Sequence, residues 1–245
     1  MPFTFSHPAI ILPLKFLPRK FISITGIIVG SISPDFEYFI RMKIQSDFSH
    51  TILGLIWFNL PLGIVFAYVF HNIIRDNLFS NLPKMLKSRL LKFRQFGWNE
   101  YLKNNLFVVI ISILIGSISH LFWDSFTHET GYFVVMIPML SNKISIADFQ
   151  IPIFKIIQHS STIIGIVVIT LLLNKLPKTY VQKEDVSAKY WIVFTLVTFS
   201  IIFTKVISSF DFKLNGNFFV TSISASIIAL IITPFFVQKK LKINN

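Results

Sequence analysis

The chain has 245 residues, of which 53% are hydrophobic, 16% aromatic and only 14% charged. Soluble domains carry about 25% charged residues, so a water-soluble enzyme with a polar surface is excluded, and the 28 Phe residues exclude an unburied, disordered chain. Without Cys there is no disulfide framework and no thiolate chemistry, so any activity must rest on His, Asp, Glu, Ser or Lys.

In chain order, the first segment is apolar from His7 to Ser33 but carries Pro13, Lys15, Pro18, Arg19 and Lys20 in its middle. Charge at a bilayer centre is costly, and Pro removes a helix hydrogen bond. The pattern predicts two short helices, about Pro8–Phe16 and Phe21–Ile32, joined by a basic turn at Leu17-Pro18-Arg19-Lys20. Such a hairpin returns the chain to its starting side and brings His7 near Asp35. No basic n-region or small-residue cleavage site marks a signal peptide. Five continuous apolar runs follow, about Thr51–Phe70, Leu106–Phe126, Ile153–Leu173, Trp191–Ile207 and Phe218–Val237. Each approaches the roughly 20 residues that cross a bilayer core as a helix. The fold class expected is all-α: a polytopic membrane helical bundle with an N-terminal hairpin and about five transmembrane helices. Residues 1–245 read as a single integral membrane domain, with a core over 1–173 and two additional helices in 174–245.

Basic residues set the expected orientation. Arg75, Lys84, Lys87, Arg89, Lys92, Arg94 and Lys103 fall in one connection, Lys175, Lys178, Lys183 and Lys189 in another, and Lys239, Lys240 and Lys242 in the tail. By the positive-inside rule these face the cytoplasm, with the hairpin turn on the same side. The connections at about Pro34–His50, Thr127–Pro152 and Ser208–Asn217 then face outward. A multi-pass protein of the bacterial inner membrane, with a cytoplasmic C-terminus and lipid as its partner, accounts for the net charge of +12, and no nucleic-acid partner is expected. Leu82, Leu86, Leu90 and Phe93 at helical spacing fit either an amphipathic helix on anionic lipid or a plain loop.

The six His residues are unevenly placed. Under this topology His7, His50, His120, His128 and His159 share the outer side with Asp35 and Glu37, while His71 falls about 30 Å away at the other end of its span. In Ser119-His120-Leu121-Phe122-Trp123-Asp124-Ser125-Phe126-Thr127-His128, three ionisable side chains recur every four residues and line one helix stripe. Imidazole and carboxylate oxygen suit a divalent metal, zinc first and manganese or iron as alternatives. A cation would also neutralise carboxylates in a low-dielectric site. His7, Asp35, His50, His120, Asp124, His128 and His159 are the candidate ligands, enough for two metals. Glu37 is the candidate second-sphere partner or general base.

Met1-Pro2-Phe3-Thr4-Phe5-Ser6-His7-Pro8-Ala9, Ser31-Ile32-Ser33-Pro34-Asp35-Phe36-Glu37-Tyr38 and the Ser119–His128 run resemble an uncharacterised bacterial family of integral membrane proteins, the domain of unknown function DUF4184. More distantly, the order of N-terminal His, Pro-Asp, a His before a span, and Ser-His with a following Asp is similar to the membrane-bound metal-dependent hydrolases, and through them to the zinc phospholipase C group. That resemblance implicates His7, Asp35, His50, His120 and Asp124 in metal binding. Where the distant group has a second acidic residue soon after Pro-Asp, this chain has Phe36-Glu37. The function expected is a membrane-embedded metal-dependent hydrolase with an outward-facing site for phosphoester or lipid-linked substrates. A proton-coupled transporter and a non-catalytic metal-binding protein are the alternatives. The oligomeric state is not legible in the sequence.

Overall fold

A computed structural model of the chain describes residues 3–18, 20–180, 187–208 and 215–237. Arg19, Lys183, the tail residues Lys239, Lys240 and Lys242, and the motif residues Met1 and Pro2 lie outside the described residues. Among the described residues the chain is all-α apart from one small hairpin, and five of the helices there are long and apolar enough to cross a membrane. It is an integral membrane protein by that composition and length.

The first arm of the N-terminal hairpin is a 3-10 turn at Thr4–Ser6, then α1 (Pro8–Ile11) running into 3-10 turns at Leu12–Phe16. The second arm is α2 (Ile24–Ile32), begun by the Ser23 hydroxyl accepting from Gly26 N. A 3-10 turn at Ser33–Asp35 leads into α3 (Phe36–Arg41). The helix expected at Thr51–Phe70 is longer, α4 at Ile52–Asn81. Nothing between Phe70 and Pro83 breaks it, and Pro83 cannot continue a helix. Two π-helical stretches, Leu55–Asn59 and Phe70–Ile74, interrupt it. Next come α5 (Lys84–Leu90), α6 (Trp98–Asn104), α7 (Leu106–Asp124) and α8 (Tyr132–Met136). Strands β1 (Lys143–Ile146) and β2 (Phe149–Pro152) pair antiparallel, Lys143 opposite Pro152 and Ile146 opposite Phe149. The last three helices are α9 (Ile153–Asn174), α10 (Ala188–Ser208) and α11 (Asn215–Phe236).

The chain divides into two units. The first holds 1–36, 47–65 and 101–175, and its centre is the crossing of α2 on α7. That crossing is built from small residues. A Cβ on Gly30 would run into the Ile113 backbone, and one on Gly116 into the Ile27 carbonyl and Ser31 nitrogen. Hydroxyls replace bulk as the adhesive: Ser112 Oγ accepts from Ser23 N at 2.8 Å, and Ser117 Oγ donates to Gly30 O at 3.1 Å and lies 3.0 Å from Ser33 Oγ. Lipid tails give no hydrophobic drive for helices to associate, so close backbone approach and interhelical hydrogen bonds carry such contacts.

The second unit holds 37–46, 66–100 and 176–245, with α10 packed on α11. Its α5 departs from the amphipathic expectation. Lys87, Ser88 and Arg89 are buried while Met85 is exposed. Ser88 O accepts from both the nitrogen and the hydroxyl of Thr179, while Lys84 stays exposed. His71 also belongs here; its ring stacks on Trp98 at 4.6 Å and its Nδ1 meets Arg75 at 3.1 Å.

Candidate metal centre

Four separate segments of the first unit converge on one buried cluster. His7 arrives at the start of α1. The Thr4–Ser6 turn beneath it lies along α9, where Phe3 N donates to Thr162 Oγ1 at 3.1 Å and the missing Cβ of Gly165 makes room for Ser6. Asp35 comes from the 3-10 turn that ends α2. His50 comes from the turn before α4. Asn59, in the first π-helical stretch, is fully buried and donates from Nδ2 to Ser49 O at 2.8 Å, which pins that turn. His120 and Asp124 occupy the last two turns of α7, on one face as their spacing demands.

The side chains meet edge to edge. His120 Nε2 is 3.5 Å from Asp35 Oδ1 and 3.3 Å from Asp124 Oδ2. His50 Nε2 is 3.7 Å from Asp35 Oδ1 and 3.6 Å from Asp124 Oδ2, and His7 Nε2 is 3.6 Å from Asp124 Oδ1. These separations are too long for good hydrogen bonds. Indeed none reaches Nε2 of His7 or His120, Oδ1 of Asp35 or either carboxylate oxygen of Asp124, although all five atoms are buried. Buried polar atoms ordinarily find partners. Two donors each about 2.0–2.1 Å from a tetrahedral zinc are roughly 3.3–3.4 Å apart, so groups at this spacing could hold a shared cation. Ligand atoms of His7, Asp35 and His120, and again of His50, His120 and Asp124, lie within 4.8 Å of one another.

Surrounding groups orient these side chains. A carbonyl can only accept, so His120 Nδ1–H donates to Ser31 O at 2.7 Å, which turns Nε2 toward the two carboxylates. The Thr4 hydroxyl donates to Asp35 Oδ2 at 2.5 Å, leaving Oδ1 toward the cluster. Ser49 Oγ lies 3.0 Å from His50 Nδ1. The rings of His7 and His120 stack with centroids 3.8 Å apart. Burial, with His120 alongside, pulls the His7 imidazole down from 6.5 to about 3, so it is neutral and able to ligate. Burial pushes the Asp35 carboxyl up, but His120 beside it outweighs this and holds it below the usual carboxylate range.

The other candidate residues fall elsewhere. His128 is in an outer position, partly exposed, with Nδ1–H toward Asp124 O at 3.1 Å and its ring nitrogen 3.7 Å from Asp124 Oδ2. It supports Asp124 rather than joining the ligand groups. His159 is exposed on α9 and stands outside those groups; α9 contributes by holding the N-terminal turn instead. Glu37, in the second unit, pairs with Arg41 at 2.8 Å and accepts from Ser46. Thr4, Ser31, Ser49 and Asn59 were not singled out by sequence reasoning. Only Asn59, a polar residue inside an apolar run, carried a signal there.

Fold and cluster together define an all-α, polytopic membrane protein with a buried His/Asp centre. The chain belongs to the family described as a domain of unknown function (DUF4184), whose model matches residues 1–235. No curated protein and no solved structure matches it.

Proposed function

We propose that this protein is a membrane-embedded metal-dependent hydrolase that holds one divalent cation between His7, Asp35, His50, His120 and Asp124. The observation that carries the reading is the set of five imidazole–carboxylate separations of 3.3–3.7 Å that link these side chains. A mixed imidazole and carboxylate set suits zinc, and manganese or iron in second place. Both ligand triplets share His120. Its Nε2 has a single lone pair, which supports one cation rather than two. When bound, the cation supplies Lewis acidity toward a phosphoryl oxygen or a water.

The chain's own residues do the rest. Ser31, Thr4 and Ser49 orient the ligands, and the buried rings of His7 and His120 exclude bulk water. His50 and His128, with side chains 22% and 29% exposed, mark the side from which a substrate reaches the centre. A phosphoester or lipid-linked substrate fits a centre at the end of a membrane span. The clustering of basic residues in alternate connections supports a bacterial inner-membrane protein with its C-terminus in the cytoplasm and the centre on the outer side.

The test is metal content of the detergent-purified protein, for wild type, His120→Ala and Asp124→Ala, followed by a phosphoester panel. One equivalent of metal in wild type, lost in both variants, with metal-dependent turnover, is the expected result. Wild type without metal overturns the metal centre, and bound metal without turnover overturns the hydrolase.

A further inference from the structure

Residues 131–149 follow directly from the exposed edge of the centre: Gly131 N donates to His128 O at 2.9 Å, and Phe133 N and Val134 N donate to Ser125 O. One side of this stretch is packed inward. Val134 and Leu140 are buried with Phe154, against Phe126, Ile153 and Ile157, and Phe133 stacks on Phe126 at 4.2 Å. The opposite side is equally apolar. Tyr132, Val135, Met136, Met139 and Phe149 are each between 60% and 70% exposed. From Gly131 to Phe149 the charged residues are Lys143 and Asp148, both in the β1–β2 hairpin. The stretch Tyr132–Leu140, apolar all round, requires an apolar environment on both sides, and an outward patch of this kind marks an interaction surface.

We propose that residues 131–149 are seated in the lipid leaflet, forming an apron around the accessible edge of the His/Asp centre. Lipid is the occupant because both ends of the stretch are membrane spans, α7 ending at Asp124 and α9 beginning at Ile153. The segment is therefore held at the bilayer boundary whatever else binds it. Lys143, exposed at the start of β1, and Asp148, exposed at the hairpin turn, can keep their charges among headgroups, the Lys143 stem lying along apolar surface. The corollary, that an amphiphilic phosphoester enters sideways from the leaflet, rests on the hydrolase reading; the seating itself does not.

The absence of Cys from the chain makes the test direct. Single variants Val135→Cys, Met139→Cys and Phe149→Cys carry a nitroxide label in protein reconstituted into phosphatidylethanolamine–phosphatidylglycerol vesicles. Ile163→Cys, 64% exposed in the middle of α9, serves as the acyl-chain reference. Tyr180→Cys, 89% exposed beyond it, serves as the aqueous reference. The ratio of oxygen accessibility to nickel-chelate accessibility should be several-fold higher at all three positions than at Tyr180 and approach that at Ile163. Ratios equal to that at Tyr180 would overturn the proposal. Dipolar broadening at the three labels and not at Ile163 would overturn it in favour of a second copy. The replaced side chains are mostly exposed, so little packing is lost, and circular dichroism checks each fold. None of these readings depends on metal or turnover, so the seating and the hydrolase can fail separately.

Discussion

Gly30→Ala should damage stability and metal binding together. In a helix interior the change would by itself gain about 1 kcal/mol, so the sign depends on space. A Cβ at Gly30 would sit 2.8 Å from both the carbonyl carbon and the Cα of Ile113, where carbons prefer about 3.5–4.0 Å. The obstacle is backbone in the middle of α7 and cannot rotate away, so the helices must part by about 1 Å. Overpacking of this kind costs about 1–3 kcal/mol. The parting also stretches the 2.7 Å bond from His120 to Ser31, worth about 0.5–1.5 kcal/mol. The net expectation is a loss of roughly 1–3 kcal/mol, or about 2–10 °C in melting temperature for a chain of this size. Metal content should fall in the same sample, since His120 moves with α7. Thermal melts in detergent and elemental analysis check both, with Gly97→Ala, which has nothing within 4 Å of its Cβ, as the neutral comparison. A Gly30→Ala protein that melts no lower than wild type and keeps its metal would refute the reasoning.

Three further outcomes are expected. Thr4→Val removes the hydroxyl that holds Asp35 Oδ2 and should weaken metal affinity about 10–100-fold, with Thr4→Ser close to wild type by calorimetric titration. His159→Ala should leave metal content unchanged, because the side chain is exposed and apart from the ligand groups; loss of metal there would mean that α9 supplies a ligand after all. Acid should destabilise the metal-free protein. His7 has a folded pKa of about 3 against 6.5 unfolded, so the unfolded chain binds more protons between those values. The contribution is complete above about pH 6.5 and lost as pH falls toward 3, which melts in chelator across that window would show.

Much of this arrangement is legible in the residues. Continuous apolar runs place the five spans, and prolines with central charges break the first segment into a hairpin. The i, i+4 spacing of His120 and Asp124 puts them on one helix face. Other features are silent for physical reasons. The end of α4 is set by where a breaker occurs, at Pro83, and not by where hydropathy falls. The β1–β2 hairpin turns through Ala147 at φ 50°, a left-handed position usually marked by Gly or Asn, so no turn signal was present. His159 lies near the right end of its span but on the wrong side of its helix, and an apolar run gives no facing. Thr4 and Ser49 act through single hydrogen bonds to ligands, and such partners are set by tertiary approach rather than by local pattern.

The bond between His120 and Ser31 has a second consequence. The nine residues of α2 rise only about 14 Å, which is half the depth of a bilayer core. The final carbonyls of a helix lack the usual intrahelical partner and oil offers none; Val29 O and Gly30 O take the Ser33 N–H. Ser31 contributes one of those carbonyls, and the imidazole of His120 satisfies it. A single ring thus terminates a half-depth helix with one nitrogen and faces the cluster with the other. Replacing it removes a donor from the centre and uncaps the scaffold in the same stroke, so the chemistry of this position cannot be exchanged while the architecture is kept.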